Sequence, residues 1–182
     1  GLVEALLDFQ FEVLTTYFND GNRKPQRSSY NNAHAYLSAP YGIYKTSNGY
    51  IAIAMTPLPQ LGELLDLNSI KDLHDQKEWF TKRDEIKKDI GDWIEKQTTE
   101  HWLSILEPAD IWCAKVLDWE TMVKHEGFKI LDMVQRIKRD DGLDIETLRC
   151  PIKIDGEIFK SSKAAPKIGN DNNSIMKEFG IS

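Results

Sequence analysis

Apolar residues at Leu2, Val3, Leu6, Leu7, Val13, Leu14, Tyr17 and Phe18 recur one turn apart, with Glu4, Asp8 and Glu12 on the opposite stripe. That spacing predicts a helix. Phe9 and Phe11 widen the apolar face beyond what one neighbour covers, so the helix is expected to be buried on much of its circumference. It is expected to end near Asn19, with Gly21 as its C-terminal cap. Residues 22–40 carry no apolar period. Asn22, Arg23, Lys24, Pro25, Ser28, Ser29, Asn31 and Asn32 are loop chemistry, anchored by Tyr30, Tyr36 and Leu37, and they read as a connection between two structural units.

Two strand-like runs follow, Tyr41–Thr46 and Tyr50–Met55, around Ser47-Asn48-Gly49. Asn-Gly is the signature of a type I′ hairpin, whose two central positions both need positive φ. Pro57 and Pro59 then open a helix through Leu61, Leu64 and Leu65. A long helix is expected over Gln76–Gln97, with Trp79, Ile86, Ile90, Trp93 and Ile94 inward. The runs Lys82-Arg83-Asp84-Glu85 and Lys87-Lys88-Asp89 read as its solvated face, held by pairs one turn apart. Thr98 is the expected N-cap of a helix carrying Trp102, Leu103 and Leu106, stopped by Pro108. Ile111–Leu117 reads as extended, and Asp118 as the cap of a short helix closed by Gly127. A second hairpin is expected from Met133–Lys138 and Leu143–Leu148 across Asp140-Asp141-Gly142. Pro151–Ile154 reads as another extended run, and residues from Ser174 to Phe179 as a last short helix. Helices mixed with antiparallel hairpins give an α+β fold class.

Composition narrows the function classes. The chain has 182 residues, about one domain or one and a small fraction, and its 41% apolar content is enough for a real core. Acidic residues outnumber basic ones, 29 to 23, for a net charge of −6, so a nucleic-acid partner is not expected. No stretch approaches the roughly 18 apolar residues of a membrane span. No Lys or Arg precedes Arg23, so the basic start of a secretory signal is missing. The chain starts at Gly1, directly inside a helical pattern, which reads as a cut within a longer protein. Two cysteines, Cys113 and Cys150, form no disulfide framework and suit a reducing cytoplasm.

The residues show no complete catalytic set. His34, His74, His101 and His125 lack zinc spacings with each other or with the cysteines, so no metal is expected. There is no Walker loop, no Gly-x-Gly-x-x-Gly and no Gly-x-Ser-x-Gly elbow. Cys113, beside Trp112, reads as inert packing rather than a reactive thiol. His101 reads as a helix-surface residue, and the tryptophans at 79, 93 and 102 as core. Spacing alone reaches a soluble α+β domain without a self-contained active site.

Several segments, taken together and in order, carry more. Ala39-Pro40-Tyr41-Gly42-Ile43-Tyr44-Lys45-Thr46, leading to Asn48-Gly49-Tyr50-Ile51-Ala52-Ile53-Ala54, resembles the "APYGIYRTADGYIAIA" hairpin of the class III CoA-transferases, the CaiB–BaiF family. Thr99-Glu100-His101-Trp102 with Leu106 is similar to that family's "T-x-x-E-W-x-x-x-L" helix, and Asp110–Leu117 to its "GIPCAPV" run. Cys150-Pro151-Ile152-Lys153 and Ala165-Pro166-Lys167-Ile168-Gly169 resemble two further segments nearer the family's C-terminus. Trp112 and Lys115 stand where the family usually has prolines, and Asn170-Asp171-Asn172 replaces Glu-His-Thr. Family members include formyl-CoA transferase, carnitine CoA-transferase and α-methylacyl-CoA racemase.

The resemblance implies the C-terminal portion of such an enzyme: residues 1–38 as helix and linker from a large Rossmann-like domain, 39–148 as the small α+β domain, and 149–182 as a tail returning toward the large domain. It implies a cytoplasmic homodimer, interlocked or swapped. It implies CoA or acyl-CoA as substrate, with a carboxylic acid as the other partner, and no covalently bound cofactor. The family Asp that carries the acyl group as an anhydride lies outside this chain, so no catalytic residue is expected here. Met55, Thr56 and Pro57, with Tyr41 and Tyr44 nearby, are the expected wall facing the acyl group; the other reading is that they only pack the end of the hairpin. Pro57 and Pro59 stiffen this stretch, which counts against a mobile glycine flap and leaves the acyl group open. Two alternatives stand beside the transferase reading. One is the matching part of a racemase that moves the α-proton with a His/Asp pair, also outside this chain. The other is a non-catalytic acyl-CoA-binding or dimerisation module.

Overall fold

The first apolar stretch folds as two helices, α1 (Leu2–Phe9) and α2 (Phe11–Asn19). They meet at Gln10, whose φ of −98° and ψ of 10° leave the helical region. Their broad apolar face is not buried as the pattern led us to expect: Leu2 is 86% and Phe9 91% exposed, and Val3, Leu6 and Phe11 are exposed too. The hydrophobic periodicity records a surface to be covered, and this chain by itself does not cover it. The structure, a computed structural model, describes residues 1–30, 34–139 and 141–181. Asn31, Asn32 and Asp140, named above as loop and turn residues, lie outside the described residues. The chain divides into two compact units, Gly1–Val116 and Leu117–Ser182.

The first unit continues with β1 (Gly42–Thr46), β2 (Gly49–Ile53), α3 (Leu58–Leu65), α4 (Asn68–Lys71), α5 (Gln76–Thr81), α6 (Arg83–Ile94), α7 (Thr99–Leu106) and β3 (Cys113–Lys115). The three strands form one antiparallel sheet in the order β1-β2-β3, with Tyr44 opposite Ile51 and Ile53 opposite Cys113. Alternation sends Tyr44, Ile51 and Ile53 to one face. There they join Leu58 and Leu61 of α3, Ile86, Ile90 and Ile94 of α6, and Trp102 and Leu106 of α7 in the core. The expected long helix is broken at Lys82 into α5 and α6, because Lys82 has φ −102° and ψ 15°.

The Asn48-Gly49 hairpin is present, but its turn differs from the expected type. Thr46 pairs with Gly49, so Ser47 and Asn48 make the turn, and none of residues 46–49 has a positive φ. Tertiary contacts hold the tip instead. Asn48 Oδ1 accepts from the Thr99 N–H at 2.8 Å, its Nδ2 donates to Glu100 at 2.7 Å, and the Ser47 N–H donates to the Gln97 carbonyl at 2.9 Å. Thr98 caps α7 as expected, accepting from the His101 N–H.

The second unit contains α8 (Trp119–Lys124), α9 (Glu126–Ile130), β4 (Val134–Lys138), β5 (Asp144–Leu148), β6 (Lys153–Ile154), β7 (Glu157–Ile158) and α10 (Asn172–Phe179). Its start falls inside the 39–148 span assigned above to one small domain; β4 and β5 pair with each other and do not join β1–β3. Asp118 caps α8 as expected. Gly127 does not close that helix, because His125 caps a second one and accepts from the Gly127 N–H. The positive-φ pair that sequence placed at 48–49 occurs at Asp155 (φ 50°) and Gly156 (φ 84°), between β6 and β7. Among the described residues of this unit only Arg149 is buried. Its guanidinium donates to the carbonyls of Leu131, Asp132 and Cys150 at 2.7–2.8 Å, tying the end of α9 to the end of β5.

Candidate functional site

Where β2 ends, the Ala54 N–H donates to the Trp112 carbonyl at 2.8 Å, and the chain turns through Met55, Thr56 and Pro57 into α3. Pro57 occupies the N-cap with φ −60°, and Pro59 sits in the first helical turn, where no N–H is needed. Across from this turn, the Ala39 N–H donates to the Trp79 carbonyl at 3.0 Å and holds Ser38 and Ala39 against α5. The result is a recess of about 340 Å³ lined by Ser38, Ala39, Met55, Thr56, Pro57, Gln76 and Trp79. Met55, 58% exposed, stands at its lip, while Thr56 is nearly buried. The Trp79 indole N–H is committed to the Leu73 carbonyl at 2.7 Å, which fixes the ring. The lining offers shape, a thioether, hydroxyls and an amide; none of its side chains is a carboxylate, imidazole, amine or thiol.

Three of the five expected wall residues therefore meet in one recess. Tyr41 lines a different one, about 460 Å³, on the outer face of the sheet with Ile43, Ala52, Ala54, Trp112 and Ala114. Tyr44 lines neither. It is fully buried on the core face, its hydroxyl donates to the Pro40 carbonyl, and burial, then Tyr30, pushes its phenol far above the ordinary range. The alternation of β1 explains the split, because residues two apart share a face and Tyr41 and Tyr44 do not. Sequence reading missed Ser38, Ala39, Gln76 and Trp79 as walls. Ala39 lies inside the hairpin segment that carries the family resemblance, and Trp79 falls on the apolar face of the expected helix.

Elsewhere, Cys113 is half-buried, and burial, then Glu107, raises its thiol pKa, which keeps it a poor nucleophile. His101 is exposed and packs edge-on against Trp102 at 4.9 Å. Glu100 is pushed down to about 2, first by the bond from Lys115 and then by that from Asn48. Asp84 is likewise pushed down to about 2, by the Ser28 and then the Ser29 hydroxyl. The charge runs on α6 are not wholly solvated. Lys82 and Lys88 pair with Glu78 and Asp92 one turn away, but Arg83 is 7% exposed and Lys87 0%. Among the described residues no group of His, Cys, Asp and Glu side chains is placed to hold a metal, and no helix is long and apolar enough to cross a membrane.

The family model for CoA-transferase family III matches residues 1–172. Human alpha-methylacyl-CoA racemase is 25% identical over 148 residues, covering 78% of this chain and 37% of that protein. The crystal structure of Rv3272 from Mycobacterium tuberculosis superposes with a TM-score of 0.62 at 17% identity, over 92% of this chain and 44% of that one. A CAIB/BAIF family protein from Brucella suis gives a TM-score of 0.58 at 20% identity, over 91% of this chain and 43% of that one. The chain thus spans less than half the length of each of these proteins.

Proposed function

This chain belongs to CoA-transferase family III, and from that premise we propose that it forms part of the cover of an acyl-CoA site in an acyl-CoA:carboxylate CoA-transferase. The reacting carboxylate is supplied from outside this chain. The recess formed by Met55, Thr56 and Pro57 against Ser38, Ala39, Gln76 and Trp79 carries the reading. It is small, rigidly backed and free of titratable groups, which suits a wall that orients an acyl group and keeps water off a reactive anhydride. In the transfer itself a carboxylate attacks the thioester carbonyl, the C–S bond breaks and CoA leaves as the thiolate; the thiolate then attacks that carboxylate's own carbonyl in the mixed anhydride, releasing the donor acid and leaving a protein–CoA thioester, and the acceptor acid takes up CoA by the same two steps in reverse.

Met55 is the residue to test. In the protein carrying this segment, Met55→Trp is expected to lower kcat/KM for acyl transfer about 10- to 100-fold, because an indole at the lip displaces the acyl group from its reacting position. Thermal stability is expected to stay unchanged, since Met55 is mostly exposed. Unaltered kinetics would remove the recess from the reaction.

A second reading, racemisation at the α-carbon, is favoured by the similarity to the human racemase. Exchange of solvent deuterium into a 2-methylacyl-CoA, without transfer to a free acid, would select it.

We further propose that the exposed face of α1 and α2 is buried against a second copy in a homodimer. Light scattering is expected to give a dimer. A monomer whose Leu2, Phe9 and Phe11 remain open to solvent labelling would exclude it.

A further inference from the structure

We propose that the Arg83–Lys87 face of α6 binds a phosphate-type oxyanion. The two cations lie one helical turn apart and therefore share a face. Both are buried. The Arg83 guanidinium lies 4.2 Å from the centre of the Phe80 ring, and its Nη2 donates to the Gln26 carbonyl. Its Nη1 and the Lys87 ammonium have neither solvent nor a hydrogen-bond partner. The carboxylate next to them is already engaged: Asp84 accepts from the Ser28 hydroxyl at 2.6 Å, the Ser29 N–H at 3.0 Å and the Ser29 hydroxyl. Among the described residues, neither Arg83 nor Lys87 forms an ion pair.

Arg83 also forms a wall of an open polar recess of about 500 Å³, together with Gln26, Arg27, Lys82 and the carboxylates of Asp84 and Glu85. Lys87 lies one turn further along α6 and does not itself line the recess. Buried donors left without acceptors are costly, and an arginine cannot shed its charge to relieve the cost. An oxyanion entering beside Arg83 supplies both the acceptors and the missing negative charge. The planar guanidinium supplies the hydrogen bonds, and the Lys87 ammonium one turn along the helix adds its charge.

Thermal unfolding at constant ionic strength, with phosphate replacing chloride, tests this. Wild type is expected to gain about 5 °C or more once phosphate exceeds its Kd a hundredfold, rising with the logarithm of phosphate concentration. Arg83→Gln and Lys87→Met are each expected to remove that rise. Lys87→Met deletes the amine while keeping the apolar stem, so it folds and keeps the test decisive. A parallel titration with CoA separates the sources: a larger rise with CoA than with phosphate at equal concentration, lost in Arg83→Gln, assigns the site to a nucleotide-borne phosphate, and a response to phosphate alone assigns it to the free anion. A rise equal in wild type and in both variants is a general salt effect and overturns the site, as does no response to either ligand.

Discussion

Gly62→Ala is expected to destabilise the first unit by about 2 kcal/mol, although alanine is the better helix former by up to about 1 kcal/mol. Gly62 is buried inside α3, where the chain turns back through Asp66 and Leu67 into α4. The Leu67 N–H donates to the Gly62 carbonyl at 2.9 Å, which draws α4 onto this spot. A Cβ added at Gly62 would lie 2.8 Å from the Lys71 backbone nitrogen and 3.0 Å from Lys71 Cα and Ile70 Cγ1. Two of these three atoms are main chain, so no rotamer change relieves the contact, and α4 has to move as a unit. Ile70 is fully buried beneath it, so that movement also opens the core. Urea unfolding of the wild type and the variant measures the difference. A variant as stable as wild type, or more so, would show that α4 gives way freely.

That close approach marks the boundary of what the sequence disclosed. Period and caps located most elements because they are local: Thr98 and Asp118 cap the helices they were expected to cap, and Pro57 opens α3. Features set by distant partners were misread. Asn48-Gly49 has the chemistry of a type I′ turn, yet Thr99 and Glu100, some fifty residues away, hold Asn48 in another conformation. Asp155-Gly156 has the same chemistry without such partners, and there both residues take positive φ. Its strands are two residues each, too short to alternate visibly in the sequence. The site divides the same way. Met55, Thr56 and Pro57 are contiguous and were legible, whereas the opposite wall comes from Ser38, Ala39, Gln76 and Trp79, which only tertiary folding brings there. Arg83 and Lys87 looked like members of a solvated charge run. What buries Arg83 is the segment after α2, whose Gln26 carbonyl binds it and whose Ser28 and Ser29 bind the neighbouring Asp84. Nothing in the periodicity of α6 announces that segment.

Lys87→Met is expected to raise stability by about 1–3 kcal/mol near neutral pH, the cost of a buried donor left without an acceptor. Lys87 is fully buried, its Nζ has no partner, and burial, then the charge of Arg83, lowers its pKa from 10.5; Asp84 opposes this only in part. Methionine keeps the length of the stem and its packing while removing the amine. The pH dependence fixes the sign. Between the lowered folded value and 10.5 the unfolded chain binds more protons than the folded one, so wild-type stability rises with pH across that window. Below the folded value the penalty is complete, and as pH approaches 10.5 it vanishes. The advantage of Lys87→Met is therefore largest at neutral pH and shrinks toward pH 10.5. The difference between the two proteins is the quantity to follow, because Lys45, Lys71, Lys82 and Lys88 have raised pKa values that add an opposite trend to both. Denaturant unfolding in phosphate-free buffer at several pH values between 7 and 10.5 checks it. A destabilised variant, or a difference independent of pH, would mean that the Lys87 ammonium is satisfied in the folded protein.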